Sequence, residues 1–316
     1  MDDSGTPLPN FNLYLNYLEP DAASQYEVTR NVYLITLGAL FWDILSTIGQ
    51  DWKLLRIGKP QPVFVAYHLS RWSTLTVVLL SVLEYSQKHS FASPLLACSH
   101  LVLAGPISRC QTIQNVVSAL FFISSSASDF LFLTRVRAVY YSSKLVRFAF
   151  IFLWIADVGT IGLLFTGIRV SEIADTKHCV NNGGKEYVAA AMLVPFFFDT
   201  MVYIFITVKL LSTRNLSEKK VTWRTFSGKS LSRVSRAIMQ GGQQYYLITV
   251  CCSVIMVTCW LIPSIPVVAQ TSSDIPGFAL TSSMACRVYR NLRLQLLDHE
   301  TQTRTPEMGQ GPGDGR

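Results

Sequence analysis

Seven apolar segments, separated by polar and basic stretches, set the pattern of this chain. Six are long, and the last is short and rich in serine and threonine. A helix of about 20 apolar residues crosses the hydrocarbon layer of a bilayer, and its backbone satisfies its own hydrogen bonds there. The pattern therefore predicts an all-α integral membrane protein, a seven-transmembrane helix bundle over residues 30–293. The segments are 31–50, 63–84, 110–135, 146–168, 187–211, 244–268 and 275–291.

The stretches outside the seven segments are short. Residues 1–29 lack the basic start and apolar core of a signal peptide, so they are predicted to form an extracellular N-terminal segment. Residues 294–316 show no core-forming pattern and are predicted to be a disordered cytosolic tail. The stretch SPLLACSHLVLAGP, residues 93–106, is too short to span a membrane. It is predicted to extend a neighbouring helix or to lie at the membrane interface.

Composition and charge agree with a membrane protein and indicate its orientation. Half of the 316 residues are apolar, 15% are charged, and the mean hydropathy is +0.31. The net charge of +7 comes from bases in the loops rather than from a basic domain, which disfavours nucleic acid as a partner. With the N-terminus outside, 20 Lys and Arg residues fall on the inner side and six on the outer side. Because cytosolic loops carry the excess of bases, this orientation is predicted, most simply in the plasma membrane.

Five charged residues lie inside the apolar segments. An ionised group in lipid is costly, so pairing, protonation or a functional role is expected for each of them. Counting 1.5 Å per residue from the inner helix ends puts the first three at similar depth. The sequence therefore predicts that Arg71 pairs with Asp43 and takes Asp129 as a second partner. The five residues are Asp43, Arg71, Asp129, Asp157 and Asp199.

The third segment also carries a polar stripe that ends at Asp129. Its spacings of 4, 3, 7 and 4 residues put the side chains on one face of a helix, which should point into the bundle. Two interpretations stay open: hydrogen bonding between helices, or the wall of a pocket or a water-filled path. The other residues of the stripe are Gln111, Asn115, Ser118 and Ser125.

The segment WDILSTIGQDWKLLR, residues 42–56, resembles the signature of a fungal, chiefly basidiomycete, family of uncharacterised seven-helix membrane proteins, domain of unknown function 6533. That signature has an aromatic-Asp pair, a Leu-Thr-like step, an acidic residue and a basic exit containing Trp. Weaker likenesses are found in YHLSRW (67–72), FLFLTRVRAVY (130–140) and LTSSMACRVYRNLR (280–293). The resemblance implies seven helices but no activity. The layout is also similar to that of G-protein-coupled receptors, by architecture alone.

Three of the seven cysteines fall on the outer side, where disulfides form. A bridge between Cys110 and Cys179 would tie the long outer loop across the mouth of the bundle, as in receptor-like bundles. A bridge between Cys98 and Cys179 is the alternative. The other four cysteines lie in apolar segments and are interpreted as small buried side chains.

The loop over residues 212–240 is the most basic part of the chain. Part of it places apolar side chains on one side of a helical wheel with bases around them. A helix lying on anionic lipid and a docking site for a cytosolic signalling partner both fit this pattern. Ser227 and Ser235 lie near arginines and are possible phosphorylation sites.

The sequence shows no signature of an enzyme. It has no His pair with metal-ligand spacing, no glycine-rich phosphate loop and no Gly-x-Ser-x-Gly elbow. No catalytic residue, cofactor or metal site is therefore predicted, although an embedded enzyme that uses membrane carboxylates stays open. The favoured hypothesis is a receptor-like sensor of an unknown small-molecule ligand, signalling through its basic cytosolic loops. The alternatives are a transporter or ion-conducting protein that uses the intramembrane carboxylates, and a membrane scaffold.

Overall fold

The computed structural model describes residues 20–57, 61–86, 109–172, 179–184, 190–217, 244–262 and 272–304. Within these ranges the chain forms seven long helices, one short helix and one hairpin. The helices are α1 (Pro20–Ile57), α2 (Pro62–Ser86), α3 (Arg109–Val139), α4 (Lys144–Gly162), the short α5 (Leu164–Gly167), α6 (Ala190–Ser217), α7 (Gln244–Leu261) and α8 (Asp274–Arg304). The strands are β1 (Ile168–Glu172) and β2 (Cys179–Gly184), which pair antiparallel.

Each predicted apolar segment is covered by a helix, but several helix ends differ from the prediction. The first helix begins at Pro20 instead of residue 31 and continues to Ile57. The last helix continues to Arg304, so the tail predicted from residue 294 begins later than expected. Hydropathy locates the part of a helix that lies in lipid, whereas helix formers such as Gln, Leu, Glu and Arg carry the helix on into water.

Apolar side chains cover the outside of the described bundle. Trp42 on α1 and Phe152 on α4 are 73% and 74% exposed, while Ser70 and Asp157 are completely buried. Four helices, α1, α2, α3 and α4 together with α5, are long and apolar enough to cross a membrane. Polar groups inside and large apolar groups outside are typical of a helical membrane protein, because lipid rather than water surrounds it.

Contacts between helices define two ends of the bundle. We call the end where α1 stops and α2 starts the lower end. There the Tyr140 hydroxyl, just after α3, donates to the carbonyl of Phe205 on α6 over 2.9 Å. At the opposite, upper end, Trp260 Nε1 on α7 donates to Asp274 Oδ1 on α8 over 2.9 Å. An apolar core built around Phe132 and Phe198 packs α2, α3, α4, α6 and α8 together between the ends.

The hairpin sits on the upper end of α3. The Gln111 side chain accepts a hydrogen bond from the backbone N–H of Val170 over 3.2 Å and donates to the carbonyl of Ile168 over 3.4 Å. These bonds satisfy backbone groups of β1 next to the start of α3. The predicted bridge involves Cys110, which precedes Gln111, and Cys179, which begins β2. Their side chains lie outside the described residues, as does all of Cys98, so the bridge stays a prediction.

Other predicted features also lie outside the described residues. They are residues 1–19 of the N-terminal segment, the stretch 93–106, residues 218–243 of the basic loop with Ser227 and Ser235, and residues 305–316 of the tail.

Candidate functional site

The buried arginine of α2 pairs with a different carboxylate from the one predicted. Arg71 Nη2 lies 3.1 Å from Asp51 Oδ2, and its guanidinium also donates to the hydroxyls of Tyr67 and Thr47. Tyr67, which is completely buried, donates in turn to Asp51 over 2.5 Å. The prediction that Arg71 pairs with Asp43 was wrong. These residues form a polar lock between α1 and α2, near the lower end.

Helix geometry explains the choice of partner. Side chains in a helix lean towards its N-terminus, so Arg71 on α2 leans to the lower end, where Asp51 lies, and Asp43 on α1 leans away from it. Eight residues separate the two carboxylates, which turns one from the other by about 80° around the axis of α1. Depth alone therefore did not identify the partner of Arg71.

Asp43 has a cation of its own on the last helix. Arg287 Nη2 lies 2.8 Å from Asp43 Oδ1, and the Ser283 hydroxyl donates to Asp43 Oδ2 over 3.2 Å. The Arg287 side chain is 39% exposed and that of Asp43 is 14% exposed. The pair thus holds α1 against α8 at the margin of the bundle, where solvent screening weakens it.

A cluster of hydroxyl groups joins α2, α3 and α8 at the centre of the bundle. Ser70 lies 2.8 Å from Ser128 and 2.8 Å from Ser282, while Thr74 lies 2.7 Å from Ser282 and 2.6 Å from Ser124. All five side chains are buried. Each hydroxyl finds a partner on another helix, so this cluster satisfies its polar groups and serves packing.

A second group of charged residues, the acid cluster, consists of Asp129 on α3, Asp157 on α4 and Asp199 on α6. Their exposed fractions are 5%, 0% and 7%. Asp129 lies within hydrogen-bonding range of Asp157, and Asp157 lies within electrostatic range of Asp199. Both carboxyl oxygens of Asp157 and Oδ1 of Asp199 receive no hydrogen bond from the described part of the chain. Asp129 was predicted as a second partner of Arg71, and that prediction was also wrong.

A cavity of about 90 Å³ opens beside the acid cluster, in the upper half of the bundle. It lies between α3, α6, α7 and α8, with one residue of α4 at its wall. Asp129 and Asp199 reach it from two sides, and Asp274 lines it at the upper end. Pro195 of α6 also lines it and has no N–H to donate along the helix, so the backbone ladder of α6 is interrupted there. Its other lining residues are Phe121, Ser125, Ser128, Ile161, Phe196, Ser253, Met256, Val257, Gly277, Phe278, Thr281 and Ser282.

The predicted polar stripe of α3 divides into two parts with different roles. Gln111 holds the hairpin and donates to Asn115 over 3.2 Å, so the upper part of the stripe serves packing. Ser118 is buried and accepts a hydrogen bond from Gln114, also on α3. Ser125 and Asp129 line the cavity. Both interpretations of the stripe thus describe part of it.

Sequence reasoning missed several residues of these sites. Asp51 and Arg287 were interpreted as loop and tail charges, yet they pair with Arg71 and Asp43. Asp274 was passed over because it precedes the weak seventh segment. One available signal was the series Ser283, Arg287 and Arg290, whose spacings of four and three residues put them on one face of α8.

Comparisons with known proteins leave the family open. No protein-family model matches the chain, and no curated protein matches it. The resemblance to the fungal seven-helix family stays a prediction.

Proposed function

We propose that this protein is a seven-transmembrane, receptor-like sensor, with its N-terminus outside and its C-terminus in the cytosol, most simply in the plasma membrane. The observation that carries the proposal is the cavity in the upper half of the bundle, between α3, α6, α7 and α8. In the proposed orientation, the cavity lies towards the outer face. Its wall is largely apolar with a few convergent polar groups, as is usual for small-molecule sites.

The lower end supplies the second part of a sensor. The polar lock joins α1 to α2, Arg290 reaches Tyr67 from α8, and Tyr140 joins the end of α3 to α6. Such contacts connect the helices that line the cavity to helices that do not. A ligand that repositions α6 or α8 would change these contacts next to the basic loop over residues 212–240, where a signalling partner is proposed to dock.

Proximity labelling in cells tests the coupling. A labelling enzyme is placed in the loop over residues 212–240 of the full chain. It is compared with the same insertion in Gly277→Leu, which fills the cavity, because a Cβ at Gly277 already meets Met256 Sδ at 2.0 Å. We expect a cytosolic partner whose labelling differs between the two proteins. A variant that leaves the membrane fraction at the wild-type level shows that the difference is not caused by misfolding.

Two outcomes would contradict the sensor. One is the absence of a labelled cytosolic partner, and the other is equal labelling by the two proteins.

A transporter or ion-conducting protein is the second candidate, and the acid cluster favours it. Carboxyl groups without a donor inside a membrane protein are typical of proton and ion pathways. The measurement is current or pH change in proteoliposomes of the full chain, with Asp157→Asn as the variant. A pH- or voltage-dependent current that Asp157→Asn abolishes would favour transport over sensing.

A further inference from the structure

The wall of the cavity combines carboxyl groups with aromatic rings. Asp199 is 93% buried, its Oδ1 has no hydrogen-bond donor in the described part of the chain, and it lines the cavity. Phe121 and Phe278 stack with their centroids 4.4 Å apart, and both line the cavity. The hydroxyls of Ser125 and Ser253 complete the polar wall. Carboxyl groups, ring faces and hydroxyls in one cavity are the groups that recognise an organic cation.

The charge of the acid cluster is not compensated inside the described bundle. The electrostatic neighbours of Asp157 and Asp199 are acids of the cluster, whereas Asp51 and Asp43 each have an arginine. A buried carboxylate needs a proton or a cation. No three His, Cys, Asp or Glu side chains of the described residues are arranged to hold a metal ion. A ligand that brings its own N–H donors meets the requirement without such a cage.

We propose that the cavity binds a small organic cation, a protonated amine carrying an apolar group. The ammonium group donates to Asp199 Oδ1 and to Asp129, and the apolar group packs against Phe121 and Phe278. The proposal deepens the proposed function and rests on it in one respect, since it names the ligand class of the same cavity. Binding itself is measured without any signalling readout, so the two proposals fail separately.

The experiment measures binding to the full-length chain in lipid nanodiscs by calorimetry. The probes run from ethylamine to phenethylamine, each with the alcohol of the same carbon skeleton as its neutral counterpart. The variant is Asp199→Asn, which keeps the shape of the side chain and removes its charge. The matched control is Asp21→Asn, the same change at an exposed position of α1 far along the chain from the cavity.

We expect at least one amine to bind and its alcohol to bind about tenfold more weakly or worse, because loss of a charge-assisted bond is expected to cost at least that factor. Asp199→Asn should weaken the amine by a similar factor and leave the alcohol unchanged, and Asp21→Asn should change neither. Equal binding of amine and alcohol, no binding of any amine, or an amine affinity that Asp199→Asn leaves intact would each overturn the proposal. If Asp199→Asn does not fold, the comparison of amine with alcohol on the wild type still decides. Amine binding with no change in partner labelling would keep the site and reject the sensor.

Discussion

The polar lock offers a direct measurement of which residues touch. In the structure Arg71 meets Asp51 at 3.1 Å, while Asp43 meets Arg287 at 2.8 Å. The perturbation is Arg71→Leu, which removes the guanidinium and keeps an apolar side chain in its place. It is combined with Asp51→Asn in one double-mutant cycle and with Asp43→Asn in another. The structure predicts coupling in the first cycle and additivity in the second.

The size of the effect follows from burial. The side chains of Arg71 and Asp51 are 5% and 16% exposed. Removing one partner of a buried ion pair costs about 3–5 kcal/mol, because the other charge is left without its counterion. Asp51 keeps the hydrogen bond from Tyr67 and some contact with its surroundings, so we expect the lower end of that range for Arg71→Leu. The first cycle should show a coupling of about 1.5–3 kcal/mol, the usual worth of hydrogen bonds to charged groups.

The assay is unfolding of the detergent-solubilised chain, followed for the wild type, three single variants and two double variants. Asp51→Asn in the background of Arg71→Leu should restore part of the lost stability, since the unpaired carboxylate is gone. Coupling between Arg71 and Asp43 of the same size as that between Arg71 and Asp51 would refute the pairing described here. Additive effects in both cycles would refute it as well, because no lock would then exist.

Three further predictions follow from the fold. Gly277→Leu should destabilise the chain by about 1–3 kcal/mol in the same unfolding assay, because the new side chain meets Met256 in a packed position; no loss would mean that α7 and α8 are not in close contact. Non-reducing peptide mapping should find Cys110 linked to Cys179, and free thiols at both would contradict the bridge. Asn215 begins the one Asn-x-Ser/Thr sequon, in a loop proposed to be cytosolic, so the chain expressed in eukaryotic cells should show no glycan there. A glycan at Asn215 would reverse the proposed orientation.

The positions of the helices were predictable from the sequence, because lipid imposes a local condition on the chain. A backbone that enters hydrocarbon must satisfy its own hydrogen bonds, so an apolar stretch of sufficient length is helical whatever its neighbours are. Each predicted segment, including the weak one at 275–291, is covered by a long helix in the structure. The helix ends were less predictable, since α1 and α8 extend beyond the apolar stretch at positions where propensity rather than hydropathy decides.

The presence of buried charges was also predictable, but their partners were not. Asp129, Asp157 and Asp199 were each identified as intramembrane acids, and all three are buried. That they form one cluster beside a cavity depends on how α3, α4 and α6 are rotated about their axes. The sequence of one helix does not contain that information.

The partner of Arg71 shows the same division most clearly. Its depth in the membrane follows from counting residues along α2, and that count is a property of the sequence. Its partner depends on the direction in which its side chain leans and on which face of α1 is turned towards α2, and these were decided by packing among α1, α2 and α8. Asp43 and Asp51 are both within reach of α2 by sequence, and only the rotation of α1 assigns one to Arg71 and the other to Arg287. Depth is a one-dimensional property that hydropathy records, whereas pairing is set by rotation and crossing of helices, which all of the contacting side chains determine together.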